Sequence, residues 1–66
     1  MQLKINGQDQ QQPDGMNLSG LLRSLSLDPR RLAVELNRRL VKRGDFQQTV
    51  LHDGDVLEIV TLVGGG

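Results

Sequence analysis

Three consecutive glycines, Gly64, Gly65 and Gly66, follow directly on an almost wholly apolar run from Val56 to Val63. Glycine loses more backbone freedom on ordering than any other residue and has no side chain to pack, so this triplet adds nothing to a fold. An extended tail of three residues reaches about 10 Å, and without β-carbons it can thread a narrow channel in a partner. Its end group would then be a carboxylate on Gly66, delivered where a tail with side chains could not go. That suits a chain that presents its C-terminus to an enzyme; the plain alternative is a frayed end.

The other residues able to do chemistry are few. His52 is the sole histidine and stands beside Asp53 and Asp55. With no cysteine and no second histidine, a metal site there lacks ligands, and Asp53-Gly54-Asp55 reads as a turn with side-chain-to-backbone bonds. Arg30, Arg31, Arg38, Arg39, Lys42 and Arg43 supply six of the eight basic residues, opposed within that window only by Glu35. Such a cluster fits a solvated face, a docking patch for an acidic partner, or RNA. Phe46 is the only aromatic, and single-strand binders usually add stacking platforms to their charge. RNA binding, unlike a carrier role, predicts affinity that falls steeply with salt. The sequence has no nucleophile paired with a base, no phosphate loop and no metal-ligand set, so the expectation is a carrier, not an enzyme.

The elements that must position this tail follow from periodicity. Leu3 and Ile5 alternate with polar neighbours up to Asn6-Gly7, a two-residue hairpin signal. The return strand, about Gln8 to Gln12, is polar throughout, as an edge strand would be, and Pro13-Asp14-Gly15 turns the chain. Leu18, Leu21, Leu22 and Leu25 form one helical stripe, with Asn17 as N-cap and Asp28-Pro29 as the expected stop. Gly20 inside this helix is expected to cost up to about 1 kcal/mol relative to alanine. Leu32, Val34 and Leu36 alternate as a third strand, and Leu40-Val41 begins a short fourth after Asn37-Arg38-Arg39. A brief helical turn or loop opens at Gly44-Asp45-Phe46, and a turn at Asp53-Gly54-Asp55 leads into the last strand.

That strand is apolar enough for a central position. A period of two sets Leu57, Ile59 and Val63 on one face and Val56, Glu58, Val60 and Leu62 on the other. If the helix covers the first face, Val60 and Leu62 lie open beside the tail. The order of hairpin, helix, hairpin, loop and strand gives an α+β fold, a mixed sheet of four to five strands wrapped around one main helix. The expected division is a domain over 1–63 and a flexible glycine tail over 64–66.

At 66 residues with equal numbers of acidic and basic side chains, the chain is one small domain with one core. No apolar run approaches the roughly 20 residues of a membrane helix. The opening Met1-Gln2-Leu3-Lys4-Ile5 reads as a strand and not a signal peptide, so cytoplasmic residence is the expectation.

The whole sequence resembles the thiamine-biosynthesis sulfur carrier family (ThiS), which has the ubiquitin-like, or β-grasp, fold. The resemblance is carried by Met1-Gln2-Leu3-Lys4-Ile5-Asn6-Gly7, Leu18-Ser19-Gly20-Leu21-Leu22, Ala33-Val34-Glu35-Leu36-Asn37, Asp53-Gly54-Asp55-Val56-Leu57-Glu58-Ile59-Val60 and the glycine end. It implies that a ThiF-like enzyme uses ATP and magnesium to adenylate the Gly66 carboxylate. A sulfur donor protein then supplies the sulfur of a thiocarboxylate, and a ThiG-like thiazole synthase takes that sulfur. No cofactor, nucleic acid or membrane would bind the chain itself. Val60, Leu62 and Val63 would contact the partner. Three positions depart from the family pattern: Gly20 replaces an acidic residue that completes a capping box, Asn37-Arg38 replaces Asn-Gly, and Lys42 replaces a proline. A molybdopterin-pathway carrier shares the fold, tail and adenylation, and a protein-modifying ubiquitin-like role is a third use of the same tail.

Overall fold

The computed structural model of the protein describes residues 1–62. Its strands are β1 (Gln2–Ile5), β2 (Gln8–Gln11), β3 (Leu32–Leu36), β4 (Arg39–Val41) and β5 (Val56–Thr61), with one helix, α1 (Leu18–Ser24). Short 3-10 turns cover Pro29–Arg31 and Arg43–Gln48. The strands form one sheet in the order β2-β1-β5-β3-β4, with β1 and β5 parallel and the other neighbours antiparallel. This is the β-grasp arrangement, with five strands. Val63 and the Gly64–Gly66 tail lie outside the described residues, as does the expected boundary between a domain over 1–63 and a tail over 64–66. None of the described helices is long and apolar enough to cross a membrane.

Both hairpins close through two-residue turns whose central residues have positive φ: Asn6 (51°) and Gly7 (82°), then Asn37 (52°) and Arg38 (70°). Such turns match the right-handed twist of the strands they join. β2 is an edge, as its polarity implies, and β5, the most apolar, is in the middle.

One face of the sheet and the inner stripe of α1 enclose the core. Leu3, Leu18, Leu21, Leu22, Val34, Leu51 and Leu57 are at most 2% exposed, joined by Ile5, Leu32, Phe46 and Ile59. Each fully buried leucine contributes roughly 1.5–3 kcal/mol, enough to hold a two-turn helix that would not form alone. The segment from Met16 to Leu18 is bonded to the far loop: Leu18 N–H donates to Thr49 O at 2.8 Å and Leu51 N–H to Met16 O at 3.0 Å.

The helix ends earlier than Asp28-Pro29, against expectation. Leu25 caps it, Ser26 takes φ 59°, Ser26 N–H donates to Arg23 O and Leu27 N–H to Leu22 O. This is a Schellman closure with serine in the left-handed position usually held by glycine, and Leu27 packs on the core beyond it. Asp28 instead begins the next turn, accepting from Arg30 N–H at 2.9 Å.

Two departures from the family pattern find local accounts. Asn17 Oδ1 accepts from Gly20 N–H at 2.7 Å, and a β-carbon on Gly20 would meet that same oxygen at 3.2 Å. Glycine therefore leaves the cap room that a side chain would crowd. Lys42 has φ −71°, a value proline would impose, so the backbone path survives without the ring.

Arg38 is the costly residue of the second turn, since a non-glycine side chain in the left-handed region is strained by about 1–2 kcal/mol. Arg38→Gly is expected to stabilise the domain by about 0.5–1 kcal/mol after the unfolded chain's added freedom is counted. Thermal unfolding should show a rise of roughly 2–8 °C; an unchanged or lower midpoint would contradict the strain.

Candidate functional site

The segment that carries the chain toward the glycines is β5. It lies between β1 and β3 with Ile5, Leu57 and Leu36 in line across the sheet, and Leu57 has no exposed surface. The predicted alternation holds: Leu57 and Ile59 face the helix, while Val56, Glu58 and Val60 point to the open side. Val60 is 56% and Leu62 45% exposed. Past the end of β5, Leu62 N–H still donates to Arg31 O at 2.8 Å. The backbone is thus held at residue 62, the last of the described residues. Of the expected site residues, Val60 and Leu62 share this exposed end, whereas Val63, Gly64, Gly65 and Gly66 lie outside the described residues.

Two asparagines fix β5 from its flanks. Asn6 Oδ1 accepts from Ile59 N–H at 2.7 Å while its Nδ2 donates to Ile59 O at 3.1 Å. The side-chain amide so replaces a peptide group and extends the β1–β5 pairing beyond the hairpin turn. On the other side, Asn37 Oδ1 accepts from Val56 N–H at 3.0 Å, Asn37 N–H donates to Val56 O at 2.8 Å, and Asn37 Nδ2 donates to Asp55 Oδ1 at 3.0 Å. Asparagine tolerates positive φ better than most residues, so each one serves the turn and the central strand together. Sequence reasoning assigned them to turns alone, because no local spacing reveals a bond between residues 53 apart.

The acidic turn before β5 is structural. Asp55 Oδ2 accepts from His52 N–H at 2.8 Å and its Oδ1 from Asn37; Asp53 Oδ1 accepts from Gln2 N–H at 2.6 Å. These bonds tie the start of β5 to the start of β1 and to the second hairpin. The basic cluster is spread over the two 3-10 turns, the second hairpin turn and the first residue of β4. Among the described residues only Arg30 of that cluster is in an ion pair, with Asp28 at 3.1 Å. The Arg30 side chain, and then its backbone N–H, hold the exposed Asp28 carboxyl below its ordinary value.

Comparison with known proteins agrees with this geometry. The sequence matches the ThiS family over residues 3–66. It is 35% identical over 65 residues to the sulfur carrier protein ThiS of Bacillus subtilis, covering 97% of this chain and 98% of that one. It is 41% identical over its full 66 residues to a thiazole synthase of Paramagnetospirillum magneticum. The chain spans only 20% of the length of that synthase. The crystal structure of the thiamine biosynthesis protein (ThiS) from Geobacter metallireducens superposes with a TM-score of 0.87 at 32% identity, covering all of both chains.

The Asn6 amide should be worth more than its turn. Asn6→Gly keeps positive φ available and removes both bonds to Ile59, so a loss of about 1–3 kcal/mol is expected. Chemical denaturation measures it, and amide exchange at Ile59 should quicken. A stability equal to the parent would show that the clamp contributes nothing.

Proposed function

The chain belongs to the ThiS family, and from that premise we propose that it is a sulfur carrier of thiamine biosynthesis, not itself a catalyst, with its cargo borne on the carboxylate of Gly66. The observation that carries this reading is the family match that runs from residue 3 through the glycines to residue 66. The arrangement of β5 supports it. The central strand, paired on both edges and held to Leu62, leads through Val63 into three glycines whose reactive group is the Gly66 carboxylate.

A carboxylate is a poor acyl donor until one oxygen becomes a good leaving group. A Gly66 oxygen attacks the α-phosphorus of ATP on a ThiF-like activating enzyme, and pyrophosphate leaves. The terminal sulfur of a donor-protein persulfide then attacks the acyl carbon and AMP departs, giving an acyl disulfide; a thiol attacks the donor's own sulfur, forms a disulfide with it and releases the thiocarboxylate. The activating enzyme supplies magnesium, phosphate contacts and base. Thiazole synthase is the acceptor; the likeness of this whole chain to one fifth of a thiazole synthase supports a shared sulfur. The exposed Val60 and Leu62, with Val63, form the contact to the activating enzyme.

The reading yields two measurements. Removal of Gly65 and Gly66 should leave the melting temperature within about 2 °C of the parent, since the core ends before them, while ATP–pyrophosphate exchange on the activating enzyme disappears. Continued exchange in the truncated chain would refute Gly66 as the reacting residue. Val60→Asp should weaken binding to that enzyme by roughly tenfold or more with folding nearly unchanged; an unaltered titration would remove Val60 from the contact.

A further inference from the structure

Asn6 is followed by the one residue that leaves its side chain fully open to attack along the chain, because glycine has no β-carbon to shield its own nitrogen. Both residues are exposed, and nothing lies within 4 Å of the point where a Gly7 β-carbon would stand. In such a pair the Gly7 backbone nitrogen gives up its proton and attacks Cγ of Asn6, Nδ2 leaves as ammonia, and a succinimide ring closes. Water then opens the ring. Cleavage between Gly7 N and Cγ leaves aspartate; cleavage between Gly7 N and the Asn6 carbonyl carbon leaves isoaspartate, with the backbone routed through Cγ. Asparagine is thermolabile by this chemistry, and refolding does not undo it.

The structure attaches both a gate and a consequence to this position. Asn6 Oδ1 and Nδ2 are bonded to Ile59 at 2.7 and 3.1 Å, and Asn6 N–H donates to Leu57 O at 2.9 Å, so the side-chain amide is committed to β5. Swinging Cγ onto the Gly7 nitrogen breaks the bonds to Ile59. Afterwards either product lacks the Nδ2 donor and leaves Ile59 O without its partner, and isoaspartate also adds a backbone carbon to the tight turn. The second hairpin is built alike, with Asn37 at φ 52° and its side chain on Val56. There the next residue is Arg38, at a strained φ of 70°, whose side chain crowds the nitrogen that would attack.

We propose that Asn6 is a deamidation site gated by its own hydrogen bonds to Ile59. Local opening of the β1–β5 corner admits the reaction, and the reaction removes the clamp. The strand leading to the glycines therefore loosens irreversibly as the molecule ages, whatever cargo the glycines bear. Arg38 spares Asn37 the same change, which gives its strained conformation a use.

The full chain is incubated at mildly alkaline pH, folded and in denaturant, while peptide mapping by mass spectrometry follows Asn6 and Asn37 and separates aspartate from isoaspartate. The expected result is conversion at Asn6 ahead of Asn37, about tenfold or more slower in the folded chain than in the denatured one. A local gate keeps the folded rate nearly flat at denaturant concentrations below the transition. The aged, refolded chain should melt below the parent, with faster amide exchange at Ile59, and Arg38→Gly should bring Asn37 up to the rate of Asn6 in denaturant. Equal rates in the folded and denatured chain overturn the gate, and a folded rate that rises only in step with global unfolding overturns local opening. An aged chain that melts with the parent overturns the loss of the clamp. Asn37 reacting as fast as Asn6 in the parent, or no conversion at Asn6 even in denaturant, overturns the choice of site.

Discussion

The whole arrangement depends on β5, which is the last strand in sequence and the central strand in space. No part of the sheet is complete until it inserts between β1 and β3, so most of the stabilising contacts are between residues far apart in the chain. Closing such loops costs entropy before any contact repays it. The reward is concentrated in Leu57 and Ile59, which enter the core beneath α1, and in backbone bonds on both edges of the strand. The segment preceding the glycines is also the keystone of the fold, and its described end is tied to the sheet's flank by the bond from Leu62 N–H to Arg31 O.

That placement explains several features that look unrelated. The hairpin turns lie at opposite ends of β5 because β1 runs parallel to it and β3 antiparallel. Each turn has an asparagine whose side chain reaches β5, at Ile59 and at Val56. Asp53 and Asp55 bind the entry to the strand, and Arg31 O holds its exit at Leu62. With one face of β5 committed to the core, the alternating residues are free to form a surface. Val60, Glu58, Glu35 and Leu40 are exposed on that open face.

Much of this was legible in the sequence, for reasons that are local. The leucine stripe from Leu18 to Leu25, the Asn6-Gly7 turn, and the alternation through Leu57 and Ile59 are all periodic or short-range signals. They sufficed to place Val60 and Leu62 on the open side. What was not legible depends on register or on contacts between distant residues. The opposition of Glu35 and Glu58 appears only when β3 and β5 are aligned, and the Asn6 clamp only when β1 lies beside β5. The early end of α1 turns on Ser26 adopting a positive φ, a conformation that serine's composition does not announce. The central position of β5 was legible because so apolar a run would be an aggregation hazard on an exposed sheet edge.

The central claim is that Gly66 carries sulfur, and intact-protein mass spectrometry tests it most directly. The full chain is incubated with the activating enzyme, ATP, magnesium and a sulfur source. The account predicts a mass shift equal to one oxygen exchanged for one sulfur, confined to the terminal residue. Absence of any such product, with the activating enzyme shown to be competent on another carrier, would contradict it.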